Sequence, residues 1–325
     1  MTHRRQLLKG ASSVALAGLL HPFMAHAQSD RPLRILVGFP AGVAVDVVSR
    51  IIAEKMREEL KRTVIVENRP GAGGRLAAEL LKNAPPDGNT LMIAPIVVPV
   101  LAPLVFNKLN YDPNTDFTPV GRICDFGFAL AVPGDSPVKN LKEYAAWLKA
   151  NPQQASFGSP AAGSLPHFFG VMIGDALGVQ MVHAPFNGGA ALQSAVLGNH
   201  VPAGIDVVFE WLQNAKAGKV RVLATSGATR SPVMPDVPTF KEQGYPQVVG
   251  LSWMAMYAPP KTSAEQVETF NKALNKVLGL PEIKERFLAL GLEVGGGSPK
   301  DLVQTMKDDS LRWAPIVAKS GFKAD

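Results

Sequence analysis

Residues 38–50 read Gly38-Phe39-Pro40-Ala41-Gly42-Val43-Ala44-Val45-Asp46-Val47-Val48-Ser49-Arg50, directly after the apolar run 33–37. A strand, a turn of small residues and a helix opened by an acid leave main-chain N–H groups unpaired at the helix start. Such groups are receptive to anions. Asp46 suits the task of holding that first turn in shape, since a carboxylate there accepts N–H bonds and meets the positive helix end, worth about 1 kcal/mol. Gly42 and Ala44 let a ligand approach the backbone closely. Phe39, Ala41, Gly42, Val43, Ala44, Val45 and Asp46 therefore form a candidate anion seat made of main chain.

A second junction of the same type covers residues 155–170, Ala-Ser-Phe-Gly-Ser-Pro-Ala-Ala-Gly-Ser-Leu-Pro-His-Phe-Phe-Gly. Ser159, Ala162, Gly163 and Ser164 form its turn, and Pro166 fits a first helical turn, where a missing N–H costs nothing. Ser164 reads first as a helix cap, and its hydroxyl could equally hold a carboxylate. His167 reads first as a packed or capping residue and second as a ligand contact. Asn187-Gly188-Gly189 is a similar turn, so the N–H groups near Gly188 are a third candidate. Asp206 stands in the apolar run 205–209, at the entrance of a predicted strand, where a buried carboxylate needs partners. Ala94 and Pro95 follow the third predicted strand, and Trp253 serves as core or as cleft wall.

Several chemistries lack their residues. Gly71-Ala72-Gly73-Gly74 has no Lys-Ser/Thr ending and no dinucleotide spacing, so it reads as a tight strand-to-helix turn. Gly-x-Ser-x-Gly is absent, and the single cysteine, Cys124, has no histidine near it in sequence. One cysteine cannot form an intrachain disulfide, and Cys124 is expected to be buried. Beyond residue 27 the histidines are His167, His183 and His200, with no ligand spacing. Neither a metal nor a cofactor is expected, nor is an enzyme.

The first 27 residues read as an export signal. Arg4, Arg5 and Lys9 form a basic region, residues 11–20 are apolar, and Ala25-His26-Ala27 is a cleavage site before Gln28. The start resembles a twin-arginine motif but carries His3 and Leu7 at two of its positions, so the twin-arginine and general secretion routes both stand. The formal charge of +6 includes three positive charges from this segment, leaving +3 beyond it. No basic block interleaved with aromatics occurs, which argues against nucleic acid as a partner.

Apolar runs alternate with amphipathic stretches through most of the chain. Strands are predicted at 33–39, 64–66, 90–94, 128–132, 155–158, 179–182, 205–208, 220–225 and 251–258. Helices are predicted from 47 to 60 and at 76–81, 141–149, 167–177, 190–197, 263–278, 281–290 and 299–320. Such βα alternation predicts an α/β fold with parallel sheets covered on both faces. No long linker divides the chain, so two domains would have to be joined by short ordered crossings.

Over residues 30–325 the chain resembles the periplasmic solute-binding proteins of tripartite tricarboxylate transporters, also called Bug receptors. The residues that carry the likeness are Phe39-Pro-Ala-Gly42 with Asp46; Val66-Glu-Asn-Arg-Pro-Gly-Ala-Gly-Gly74; and Ala84-Pro-Pro-Asp-Gly-Asn-Thr-Leu91. Tyr111-Asp-Pro, Asp116-Phe, Ser159 with Gly163-Ser164 and His167, and Lys216-Ala-Gly-Lys219 continue it. Ser231-Pro, Pro235-Asp-Val-Pro-Thr239, Ser252-Trp253 and Ala258-Pro259 complete it. The resemblance implies a type II periplasmic binding protein, a Venus flytrap of two doubly wound α/β lobes with the ligand in the cleft. It implies a first lobe of 31–127 plus 251–325 and a second of 128–250. It also implies a small carboxylate ligand held by main-chain N–H groups, a membrane permease as partner, a periplasmic location and a monomer.

The departures bear on the ligand. The family usually has Gly at position 43 and Ser, Thr or Asn at 45, and this chain has Val at both. Residues 94–97 are Ala-Pro-Ile-Val, where a small or polar segment is usual, and position 202 is Pro where Asp is common. Fewer hydroxyls favour an aromatic or aliphatic mono- or dicarboxylate over citrate or amino acids. Two rivals use the same fold: a receptor presenting its ligand to a sensor kinase, and a periplasmic enzyme, for which no reactive constellation is found.

Overall fold

The computed structural model describes residues 31–324. The expected export signal and its cleavage point at Ala27 lie outside the described residues. The first half of the chain forms β1 (Leu33–Val37), α1 (Ala44–Leu60), β2 (Val64–Asn68), α2 (Arg75–Lys82), β3 (Thr90–Pro95), α3 (Ala102–Val105), β4 (Thr118–Phe126), β5 (Phe128–Pro133) and α4 (Leu141–Ala150). Then come β6 (Ser156–Ser159), α5 (Leu165–Leu177), β7 (Val182–Pro185), α6 (Gly189–Leu197), β8 (Gly204–Val207), α7 (Val208–Lys216) and β9 (Val220–Thr225). The chain ends with β10 (Ser252–Ala258), α8 (Ala264–Gly279), α9 (Pro281–Ala289), β11 (Glu293–Gly296) and α10 (Pro299–Ser320).

Among the described residues eleven strands make two sheets, one ordered β11-β4-β10-β3-β1-β2 and the other β7-β6-β8-β5-β9. The expectation of parallel sheets is corrected. β1 runs parallel to β2 and β3, and β6 runs parallel to β7 and β8. β10 is antiparallel to β3 and β4, β11 is antiparallel to β4, and β5 is antiparallel to β8 and β9. The reason is the crossing itself. β4 leads through Gly127 into β5 of the second sheet, and β10 brings the chain back, so the outgoing and returning strands oppose one another.

Four strands differ most from the periodicity reading, and each has a local cause. β7 begins at Val182 rather than near 179, because Gly178 closes α5 in the left-handed region and the Val179 N–H bonds back to Gly174 O at 2.9 Å. β8 stops at Val207 and the chain turns helical at Val208, so Asp206 lies near the carboxyl end of its strand rather than at its entrance. β4 and β11 went unpredicted: Pro119, Gly121 and Arg122 interrupt the apolar run of one, and Gly295-Gly296 ends the other.

The core follows the helix faces. On α1 the buried side chains include Val48, Ile51, Ile52 and Met56, spaced as one stripe facing β1 and β3. Cys124 is fully buried in the same cluster, and burial pushes its thiol up. A second cluster joins both sheets: Leu36, Met92 and Ala255 connect through α10 to Phe128, Leu130 and Phe169. Trp313 on α10 meets the Phe169 ring edge-on at 5.1 Å. Trp253 is core, 2% exposed, and donates through Nε1 to Asp309 on α10 at 2.7 Å. Truncating an aromatic so buried costs about 3–5 kcal/mol, so α10 is a firm tie between the sheets.

Candidate functional site

Register shows where the loops go. Phe126 at the end of β4 pairs with Ser252 at the start of β10, and Phe128 at the start of β5 pairs with Val207 at the end of β8. These residues mark the junction of the two sheets. β3 opposes β10, so its carboxyl end lies on the junction side, as does that of β1, which runs parallel to β3. In the second sheet the carboxyl ends of β8, β6 and β7 point the same way. The turns after β1, β3, β6 and β7 and the end of β8 therefore gather at the junction, where open α/β sheets bind ligands.

The turn after β1 is braced by Asp46. Helix α1 starts at Ala44, its N-cap is Val43 with no side-chain hydrogen bond, and Asp46 is the third helical residue rather than the opener. The Asp46 carboxylate reaches back: Oδ2 accepts from the Gly42 N–H and from Arg50 Nε, each at 2.9 Å. Oδ1 accepts from Asn68 Nδ2 at 2.8 Å, and that amide also donates to Phe39 O at 3.1 Å. Burial opposes ionisation here, but the bonds from Arg50, Gly42 and Asn68 outweigh it and hold the carboxyl at about 2. With the Gly42 N–H spent, the N–H groups of Val43, Ala44 and Val45 have no acceptor among the described residues. Val43 and Ala44 are exposed, whereas the Val45 side chain is buried in the core and offers only its backbone.

The turn after β6 repeats the plan with different chemistry. Ser164 is the N-cap of α5; its Oγ donates to Ala161 O at 2.7 Å and accepts from the His167 N–H at 3.4 Å. His167 is again the third helical residue, and its Nδ1 accepts from the Gly163 N–H at 3.1 Å. That bond requires a neutral ring protonated on Nε2. His183 stacks on His167 with centroids 3.8 Å apart. The Ser159 hydroxyl donates to Ala161 O at 3.0 Å, so it accepts from His183 Nε2 at 2.7 Å. Burial lowers both imidazoles, and the neighbouring His167 helps bring His183 to about 4. Ser159 is fully buried with both roles of its hydroxyl taken. Pro166 has no N–H, so the first turn of α5 keeps fewer open donors than that of α1. Ala162 is exposed on the turn.

Gly188 is the N-cap of α6, and its N–H bonds to Pro160 O at 2.9 Å, which ties the turn after β7 to the turn after β6. Asp206 is buried with Oδ1 accepting from the Val207 N–H at 2.8 Å and Oδ2 unpartnered among the described residues. Burial raises its carboxyl to about 7, the Val207 bond opposing and the Glu210 charge adding. Where β3 ends, Ala94 and Ile96 turn into the core, while Pro95 and Val97 are half-buried. Ile96 opens a π-helical turn over Val97–Leu101, and its N–H bonds to Trp253 O at 3.0 Å.

Sequence reasoning missed Asn68, His183, Glu210 and Phe322. Asn68 stood within the quoted Val66-Glu-Asn-Arg motif but makes its contact only once β2 lies beside β1. His183 meets His167 only through β6–β7 pairing. Phe322, past the end of α10, packs edge-on against His167 at 5.6 Å, a contact with no trace in local pattern. Among the described residues no group of three or more His, Cys, Asp or Glu is placed to hold a metal ion.

Comparison with known proteins agrees with this fold. A UPF0065 protein of Cupriavidus necator is 35% identical over 99% of this chain and 99% of its own length. The structure of periplasmic binding protein BugD aligns at a TM-score of 0.75 with 33% identity, over 91% of this chain and 99% of that one. R. palustris Rpa4515 with adipate aligns at 0.79 with 29% identity, over 90% and 98%. The model for the tripartite tricarboxylate transporter family receptor matches residues 48–322. Solute-binding receptors of that family, with their two-sheet periplasmic binding protein fold, are thus the group to which this chain belongs.

Proposed function

We propose that this chain is an exported periplasmic receptor that captures a small carboxylate and delivers it to a permease of the tripartite tricarboxylate type. The observation that carries the reading is the row of unpaired N–H groups at Val43, Ala44 and Val45, at the start of α1 and braced by Asp46. A carboxylate oxygen accepts from such groups and gains from the positive end of α1. Adipate in Rpa4515, a related structure, supports the ligand class. The lobes are 31–127 plus 251–325 and 128–250, closing on the ligand because only the shut form lets both touch it. Val43, Pro95 and Val97 favour a ligand with an apolar body over one rich in hydroxyls.

The test is Ala44→Pro. Proline is accommodated at a first helical position, and the preceding Val43 is already extended at φ −79°, ψ 162°, as a residue before proline requires. The variant should fold as the parent does while one donor is lost. Titration calorimetry with adipate and with benzoate should show affinity reduced by about tenfold or more, the worth of a charge-assisted hydrogen bond. Unchanged affinity in the folded variant would place the anion elsewhere.

A further inference from the structure

We propose that Asp206, with Glu210 beside it and the N-terminus of α6 facing it, is a second recognition point in this site. It takes an uncharged end of the ligand that both donates and accepts hydrogen bonds, a carboxamide or an un-ionised carboxyl, in preference to a second carboxylate. The inference rests on the carboxylate-receptor reading above and names what lies at the other end of the ligand.

Asp206 is 4% exposed, and its Oδ2 has no partner among the described residues. That oxygen is aimed at Gly189, the first residue of α6: a Cβ built there would lie 2.8 Å from Asp206 Oδ2 and 4.0 Å from Glu210 Oε2. The spot is not sealed, since Gly188 and Ala190 on either side of Gly189 are exposed. The N–H groups of Gly189, Ala190 and Ala191 have no acceptor among the described residues, while the Leu192 N–H already bonds to Gly188 O. Two carboxylate oxygens thus look across a glycine at a row of donors. A carboxamide matches both: its N–H groups suit Asp206 Oδ2, and its carbonyl suits the helix end.

A second ionised carboxylate would have to approach Asp206 and Glu210 together, and like charges in one site cannot all remain ionised. The elements around Asp206 offer little relief. Glu210 on α7 is the charge that bears on it, and Gln193 on α6 is engaged with Glu210 at 3.2 Å. Across the sheet Asp206 pairs with Ala129 on β5, which pairs in turn with Thr225 on β9, neither of them charged. A dicarboxylate therefore enters with one proton shared between its carboxyl and that of Asp206. The Asp206 carboxyl, raised by burial to about 7, supplies that proton in mildly acidic solution and lacks it in alkaline solution.

Calorimetry at about pH 6 and about pH 8.5 with the linear diacids from succinate to suberate, and with their monoamides, tests this in the intact protein. At the higher pH the best monoamide should bind about tenfold or more tighter than its diacid. The diacid should gain about tenfold per pH unit between about pH 8.5 and about 7, with net uptake of about one proton there, and level off below, where the free Asp206 carboxyl already carries that proton. Asp206→Asn should bind the diacid equally at both pH values and lose the monoamide preference. Wild-type protein that binds diacids equally at both pH values, with no gain for any monoamide, overturns the proposal and leaves the receptor reading intact. Binding of none of these acids overturns both.

Discussion

The turn at 42–46 and the turn at 163–167 share a backbone plan. Each has a glycine in the left-handed region, Gly42 at φ 87° and Gly163 at φ 71°. Each has an extended N-cap, Val43 at −79°, 162° and Ser164 at −83°, 164°. In each, the third helical side chain bends back to take the glycine N–H. They differ in what bends back. Asp46 is anionic, tied to Asn68 and Arg50, and leaves three helix-start N–H groups open. His167 is neutral, stacked on His183, and stands third in a helix whose second residue is a proline. The same fold thus yields a donor-rich, pH-resistant turn in one sheet and a donor-poor, pH-sensitive one in the other.

The largest effect that would test this contrast is expected from Asp46→Ala. The substitution leaves the Gly42 N–H without its acceptor, takes one of two acceptors from the Asn68 amide and leaves Arg50 with Asn68 Oδ1 alone, at a cost of about 3 kcal/mol. Urea unfolding should show that loss, and the acid limb should change with it. The folded pKa lies below the ordinary 3.8, so Asp46 contributes stability above that value and loses it as pH falls through about 2. In the variant the slope in that window should flatten. A steep acid limb that survives the substitution would show that Asp46 is not the brace.

Next come the two glycines, alike in backbone and unlike in space. A Cβ at Gly42 meets nothing within 4 Å, whereas one at Gly163 would run into the Phe322 ring. Gly42→Ala should cost about 1 kcal/mol, the left-handed penalty alone, and Gly163→Ala about 2–3 kcal/mol because of the clash. Adding Phe322→Ala should recover part of the Gly163→Ala loss. Equal costs for the two glycines would mean that the C-terminal segment does not press on the second turn.

The pH response should follow. Both imidazoles titrate below the ordinary 6.5, so the unfolded chain takes up their protons first. Their contribution is present above about 6.5 and is lost as pH falls toward about 4. A proton on His167 Nδ1 removes the acceptor for the Gly163 N–H. Amide exchange at Gly163, corrected for intrinsic rate, should accelerate as pH falls below the ordinary imidazole range while Gly42 stays protected. Parallel behaviour at the two amides would remove the contrast.

How much of this was legible in sequence depends on how far apart the partners lie. The anion-receptive turn at 38–46 was readable because strand, glycine, small residues and acid are contiguous. The lid placed on it by Asn68 was not, since it arises from β1–β2 pairing. Residue type alone places Val45 and Ala94 in an apolar ligand wall, yet both side chains are buried in the core. Hydrophobic type alone does not separate those two fates when a strand end and a helix start adjoin. Asp206 was recognised as a buried carboxylate needing partners, but its orientation toward Gly189 needed β8 to end at Val207. The mixed sheets escaped for a similar reason: crossings between sheets reverse strand direction without any signal in local periodicity.

The smallest expected effect comes from giving the first turn the cap of the second. Val43 occupies an N-cap position with no side-chain hydrogen bond and is 41% exposed, so it contributes little packing there. In Val43→Ser the hydroxyl takes the role that Ser164 Oγ plays, accepting from the Asp46 N–H as Ser164 accepts from His167, and donating to Pro40 O as Ser164 donates to Ala161 O. An N-cap serine adds about 0.5–1 kcal/mol, which for a chain of this size raises the melting midpoint by roughly 2 °C. The Asp46 N–H already bonds to Val43 O at 2.9 Å, so the new hydroxyl draws on a group outside the open row at 43–45. Affinity for a carboxylate should therefore stay within about threefold, less than one hydrogen bond is worth. A midpoint that falls instead would mean that the Val43 side chain packs in a way its exposure hides. A large loss of affinity would mean that the valine itself, rather than the backbone beneath it, makes the contact.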